Sequence, residues 1–131
     1  MSVAVLLITH DKIGQAMLDT AGKIIGNMPL TIERLGISMN ARLEDTLDKA
    51  HERIAKLDEG DGVLILTDLY GATPSNIARQ LQSGNIAVIT GLNLPMLIRV
   101  LNYPQLSLSD MVDKAVSGGH DGIIVTLPAG D

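Results

Sequence analysis

Uncharged apolar runs of strand length recur along the chain, at Val3-Ala4-Val5-Leu6-Leu7-Ile8-Thr9, at Val63-Leu64-Ile65-Leu66-Thr67 and from Ile86 to Thr90. A run without polar alternation marks a strand buried on both faces, as in a parallel sheet covered by helices. Leu30 to Ile37 adds a short second strand in chain order, and Ile123 to Leu127 a fifth. Between the runs the apolar positions change to helical spacing. Ile13-Gly14-Gln15-Ala16-Met17-Leu18 to Ile24-Ile25 predicts a helix stopped by Gly26-Asn27. Asn40 can cap a longer one whose Leu43, Leu47, Ala50, Ile54 and Leu57 form one stripe. Thr73-Pro74 reads as a helix start with the hydroxyl at the cap and proline first. A short helix is expected from the Gly91-Leu92-Asn93-Leu94-Pro95-Met96-Leu97 turn to near Asn102. A last one is capped by Ser107 or Ser109 and broken by Gly118-Gly119-His120-Asp121-Gly122.

Strands alternating with helices imply an α/β, doubly wound fold with a mainly parallel sheet. Right-handed crossovers that place the second strand on one side of the first, and the third on the other, give the order 2-1-3-4. The switch point then lies between strands one and three, where open α/β sheets bind ligands. His10 follows strand one and Asp68 follows strand three, so both are expected on that rim, beside the helix that opens at Thr73.

Composition narrows the chemistry. The 131 residues suit a single domain with an adequate core. Cysteine is absent, which removes disulfides and thiol mechanisms and fits a reducing cytoplasm. The apolar N-terminus lacks the flanks of a signal peptide, and no stretch approaches the roughly 20 apolar residues of a membrane span. A formal net charge of -5 without a basic cluster argues against nucleic acid. Phe and Trp are missing, leaving only Tyr70 and Tyr103 to stack on an aromatic ligand. No two histidines have ligand spacing, so neither metal nor other cofactor is expected. His51 reads as a surface residue, His120 as a structural or solvent-facing loop residue, and Met96 and Met111 as core.

Imidazole is a competent nucleophile near neutral pH, because its ordinary pKa of about 6.5 leaves much of it uncharged. A carboxylate on one ring nitrogen fixes the tautomer and frees the other nitrogen to attack. Asp68 is placed to be that carboxylate. The amides from Gly71 through Ala72 and Thr73 to Ser75, at a helix N-terminus, offer donors to a phosphoryl group. The Thr73 hydroxyl can add a hydrogen bond or simply cap the helix, and Lys12 can add charge. A lone histidine after a strand is often only a loop residue, and Asp68 alone could cap a turn. Their joint position at the switch point favours the functional reading.

These residues carry a resemblance. Strand-Thr9-His10, then Leu66-Thr67-Asp68-Leu69-Tyr70-Gly71-Ala72-Thr73-Pro74-Ser75-Asn76, then Gly91-Leu92-Asn93-Leu94-Pro95-Met96-Leu97, resembles the enzyme IIA domain of the mannose family of the bacterial phosphoenolpyruvate-dependent sugar phosphotransferase system. It covers essentially the whole chain, as one IIA-type domain over 1–131. The resemblance implies a cytoplasmic phosphotransferase in which His10 takes a phosphoryl group from the histidine-containing phosphocarrier protein and gives it to a IIB component. That component phosphorylates sugar entering through a membrane permease, which this domain meets only indirectly. The resemblance also implies that Asp68 orients His10, that Thr73 lies near the phosphoryl group, and that a homodimer exchanges its last, antiparallel strand. Ala72 stands where the family usually has a second glycine, and Arg99 where it often has an acidic residue. Two alternatives stay open: a stand-alone regulatory phosphoprotein of the same system, and a receiver-like signalling domain phosphorylated on Asp68. The latter lacks the acidic pair after strand one that would hold magnesium, because His10-Asp11 stands there.

Overall fold

The computed structural model describes residues 2–129, so the outermost positions of the 1–131 domain expected from the sequence lie outside the described residues. In chain order the elements are β1 (Ala4–His10), α1 (Ile13–Ile25), β2 (Ile32–Ile37), α2 (Leu43–Leu57), β3 (Val63–Thr67), α3 (Thr73–Leu81), β4 (Ile86–Thr90), α4 (Leu94–Leu101) and α5 (Leu108–Asp121). The sheet is four-stranded in the order β2-β1-β3-β4, all parallel, as the apolar runs predict. β1 pairs with β2 from Val5 opposite Ile32 to His10 opposite Ile37, and with β3 from Ala4 opposite Val63 to Ile8 opposite Thr67.

Period-two alternation sorts β1 and β3 onto two helical layers. Val3, Val5, Leu7, Leu64 and Leu66 join Leu97, Leu101, Met111 and Ala115 on the side of α1, α4 and α5. Ala4, Leu6, Ile8, Val63 and Ile65 join Ala50, Ile54, Leu57, Ile77 and Ala78 on the side of α2 and α3. Leu6, Leu7, Ile8, Leu64, Ile65 and Leu66 are fully buried, each worth roughly 1.5–3 kcal/mol of transfer free energy. The same alternation carries Thr9 to the α1 side and His10 to the α3 side at the carboxyl rim.

Several local expectations are corrected. Asn40 does not cap α2, which begins at Leu43 with Arg42 in the cap position and no side-chain cap bond; Leu43 itself lies exposed on the rim. Thr73 lies inside α3, and the cap position belongs to Ala72. Ser107 does cap α5, accepting from the Asp110 amide, and Asn93 caps α4 through the Met96 amide at 2.9 Å.

Gly118 and Gly119 do not break α5, which runs on to Asp121. Their role is close approach rather than flexibility. A Cβ on Gly118 would overlap the Cβ of Arg99, and one on Gly122 would overlap Pro95. Across this contact Arg99 donates to Ser117 Oγ at 3.3 Å and pairs with Asp121 at 3.2 Å, so the basic residue that departs from the family pattern is used within the chain. The expected fifth strand is not formed. Ile123 starts beside the end of β4, lining a cleft with Ile89 and Thr90, but Ile123 to Leu127 makes no ladder. The segment leaves the end of α5 without lying along a sheet edge, and Ile123, Ile124, Val125 and Leu127 are 68–79% exposed.

The α4–α5 contact yields a stability prediction. Gly118→Val should destabilise the fold by about 1–3 kcal/mol through overpacking. Urea denaturation should show a lower midpoint at unchanged slope, and a midpoint equal to the parent's would mean that the helices separate without cost.

Candidate functional site

The chain leaves the sheet immediately after His10. Lys12 holds the cap position of α1 but makes no side-chain cap bond. The buried Thr9 hydroxyl serves instead, accepting the Gly14 amide at 2.8 Å. A Cβ at Gly14 would press on that hydroxyl, so glycine there lets α1 sit close on β1. Sequence reasoning passed over this Thr9–Gly14 contact, whose one signal is a polar residue ending an otherwise apolar run next to a glycine in the first helical turn.

Asp68 begins the loop after β3. Its Oδ2 accepts the His10 backbone amide at 3.0 Å and lies 2.8 Å from His10 Nδ1, while Oδ1 accepts the Leu69 amide at 3.1 Å. β1 runs on to His10 past the Ile8–Thr67 pair that ends β3, and the Asp68 side chain reaches back to it, bringing these residues together across 58 positions of sequence. The side chains differ in exposure, 35% for His10 and 11% for Asp68. Burial pushes the Asp68 carboxyl up, but hydrogen bonds from the His10 ring, the His10 amide and its own backbone, with the attraction of the His10 charge, outweigh it. The group therefore sits below its ordinary value of 3.8. An ionised carboxylate only accepts hydrogen bonds, so His10 Nδ1 carries a proton, and in the neutral ring that tautomer leaves the lone pair on Nε2.

The loop from Leu69 to Ala72 then turns into α3. Gly71 has φ 82°, in the region that favours glycine. Ala72 has φ -83° and ψ 171°, extended backbone open to any residue, so the alanine that departs from the family pattern fits without strain. The first amide of the α3 ladder is that of Asn76, which donates to the Ala72 carbonyl at 2.9 Å. The Thr73 and Ser75 amides precede it and so lack helical partners, and the residue between them is Pro74. The Thr73 side chain is exposed. Ser75 is fully buried, with no partner for its hydroxyl, so the exposed start of the helix is Thr73. The Arg79 guanidinium stands 5.2 Å from the centre of the Tyr70 ring and supports the loop from the side.

The structure therefore brings His10 and Asp68 into contact, and the chain runs from Asp68 through Gly71 and Ala72 into the first turn of α3. It does not bring in the other histidines as neighbours in sequence or register: His51 is exposed on α2 and His120 is exposed at the end of α5. Lys12 is exposed on the rim. Among the described residues no group of His, Asp and Glu could hold a metal ion, and no helix is long and apolar enough to cross a membrane. Chemically, the arrangement offers an imidazole with one nitrogen fixed by Asp68 and the other unengaged by it, on the rim where the loop after Asp68 leads into the N-terminus of α3.

The depressed Asp68 carboxyl fixes the sign of an acid dependence. A folded-state value below the ordinary one adds stability above 3.8, and that stability is lost as pH falls through the folded value. The parent should exceed Asp68→Asn in stability near neutrality, with the gap holding until pH approaches 3.8 and narrowing as it falls below that value. Urea denaturation across that series checks it, and a gap independent of pH would show that the carboxylate's charge is not what the His10 contact uses.

A family model, EIIA-man, described as PTS system fructose IIA component, matches residues 4–116. The chain is 29% identical over 127 residues to the PTS system mannose-specific EIIAB component of Escherichia coli (strain K12), a match that covers 94% of this chain and 39% of that protein. It thus spans well under half the length of that relative. It is 27% identical over 120 residues to the PTS system fructose-specific EIIA component of Bacillus subtilis (strain 168), covering 88% of this chain and 82% of the other. The solved mannose/sorbose specific IIA subunit of the phosphotransferase system from Enterococcus faecalis shares the fold, with a TM-score of 0.86, 22% identity and 98% of each chain covered.

Proposed function

The chain belongs to the PTS fructose IIA component family, and we propose that within it the chain is a cytoplasmic phosphoryl carrier. His10 accepts the group from the histidine-containing phosphocarrier protein and passes it to a IIB component that serves sugar uptake. Family membership supports a transferase role. The observation that supports the histidine chemistry is the double contact of His10 with Asp68 Oδ2, at 3.0 Å and 2.8 Å, which leaves Nε2 unengaged by the carboxylate.

In the proposed step, the Nε2 lone pair attacks the phosphorus of the donor's phosphohistidine. A new N–P bond forms as the donor's N–P bond breaks, and the donor imidazole leaves with that electron pair. Positive charge grows on the His10 ring and is balanced by Asp68 through the Nδ1 proton. The amide of the exposed Thr73 and the α3 dipole receive the phosphoryl oxygens, a task of positioning and charge stabilisation. The surroundings fit a protein donor. Ile13, Met39, Leu43, Leu69 and Tyr70 are exposed apolar side chains at the carboxyl ends of β1, β2 and β3, with Met39 88% exposed. Exposed apolar groups gathered around a reactive centre favour docking of another macromolecule. Phosphorylation on Asp68 itself, the receiver-like alternative, is disfavoured because both carboxylate oxygens already accept hydrogen bonds.

The test is reconstitution with phosphoenolpyruvate, enzyme I and the phosphocarrier protein, followed by mapping of the label. Label should appear on His10 alone and be absent from His10→Ala; label persisting in that variant rejects the assignment. Asp68→Asn keeps the size of the side chain but can donate to Nδ1, favouring the wrong tautomer, and should slow phosphorylation on the order of 10² to 10⁴. Label that reaches His10 but moves to no IIB component would replace the carrier reading with the regulatory one.

A homodimer is part of the same proposal. β4 is an edge strand, half-buried along its length, and the apolar Ile123 to Leu127 segment, which starts near its end, is exposed. Proteins avoid leaving both unpaired, and exchange of the segment between two copies, antiparallel to the partner's edge, hides both at once. Sedimentation at micromolar concentration should give a dimer, and truncation before Gly122 should give a monomer. A truncated chain that stays folded and dimeric would refute this arrangement.

A further inference from the structure

Asp11 follows His10 directly. Among the described residues it is the only non-glycine with positive φ, at 38°. In this region Cβ crowds the backbone, and only Gly, Asn and Asp enter it with any frequency. β2 grips the Asp11 backbone from both sides. Its amide donates to the Ile37 carbonyl at 3.0 Å, and its carbonyl oxygen lies so close over Gly36 that a Cβ there would overlap it. Gly36 is an ordinary strand residue, opposite Thr9 in the ladder, with no left-handed φ to demand glycine. Room for the Asp11 carbonyl is what requires it. The Asp11 side chain is exposed and makes no hydrogen bond among the described residues, so the backbone, not the carboxylate, is what the fold uses.

We propose that Asp11 is a positioning residue for His10. Its left-handed turn, clamped between the Ile37 carbonyl and the bare Cα of Gly36, fixes the peptide plane that joins it to His10. That plane anchors the carbonyl side of the His10 Cα, and with it the direction in which the ring leaves the strand toward Asp68 Oδ2. The turn also ends β1 at His10 and lets α1 begin at Ile13, so the chain does not run on across the rim in front of the ring. Backbone strain next to a reacting group is a recurrent device for holding that group in one orientation. The role rests on the reading of His10 as the phosphoryl acceptor.

Substitutions separate backbone from charge. Asn and Gly tolerate the left-handed region without a carboxylate, whereas Ala disfavours it and Val more so. Two measurements are made on each folded variant: the rate of phosphorylation by the phosphocarrier protein, and the tautomer of the His10 ring by 15N NMR. Asp11→Asn and Asp11→Gly should keep the Nδ1–H signature and a rate within about twofold of the parent, while Asp11→Val should lose about tenfold in rate with a mixed tautomer. Asp11→Ala should fall between and decides the matter if Asp11→Val does not fold. Gly36→Ala, which pushes on the Asp11 carbonyl, should reproduce the defect at a distance. A purely structural role would lower stability while leaving the ring spectrum unchanged, and that result overturns the proposal. So does Asp11→Asn as slow as Asp11→Val, which would place the effect in the charge. If the parent accepts no phosphoryl group at all, the functional reading fails, yet the ring spectra still decide whether Asp11 positions His10.

Discussion

One carboxylate oxygen, Asp68 Oδ2, receives both the backbone amide and the ring Nδ1 of His10. The two bonds share an acceptor but act on different degrees of freedom, since the first fixes where the strand ends and the second fixes how the side chain turns. Meeting both requires β1 and β3 to be neighbours in a fixed register, which their parallel pairing from Ala4–Val63 to Ile8–Thr67 provides, with β1 running on to His10 beside Asp68. A slip by one residue would turn His10 to the opposite face and leave the partly buried Asp68 carboxylate without its partners. The uncharged runs beneath, packed on both faces, hold the register against such a slip.

Above that core, the rim is built by close approach of backbone rather than by bulk. Gly14 lets α1 meet the Thr9 hydroxyl, and Gly36 admits the Asp11 carbonyl. On the same principle Gly118 and Gly122 let α5 pack against Arg99 and Pro95, which directs the Ile123 to Leu127 segment out of the end of α5. Each contact depends on a missing side chain, so the precision of the site is distributed over glycines that touch no ligand.

This explains which parts of the structure the sequence disclosed. Long apolar runs and helical stripes report burial, an averaged property, and they gave the strands, their order and the His10–Asp68 meeting. Caps and breaks depend instead on single contacts. Gly118-Gly119 reads as a helix stop because glycine is a poor helix former in isolation, yet here tertiary packing on Arg99 and Met96 outweighs propensity. Thr73 reads as a cap because hydroxyl-proline pairs often start helices, but the extended Ala72 takes that place. Ile123 to Leu127 has the composition of a strand but pairs with no edge of its own chain, because composition reports what a segment can pair with and not where the preceding helix delivers it. The left-handed Asp11 gave no signal in composition or period, since aspartate after a strand is ordinary.

On the proposed reading, the electrostatics suit a carrier better than a trap. A phosphoryl group held by fixed cations would be slow to leave, and the guanidinium groups of Arg79 and Arg99 are committed elsewhere, one over Tyr70 and the other to Ser117 and Asp121. The loop after Asp68 leads instead into the N-terminus of α3, whose dipole favours phosphoryl oxygens without a full opposing charge. Asp68, held ionised by the bonds it accepts, stabilises the ring whenever it is positive, and so acts equally as the N–P bond forms and as it breaks. A site arranged this way lowers the barrier in both directions while storing little affinity, which is the energetic requirement for receiving a group from one protein and releasing it to another.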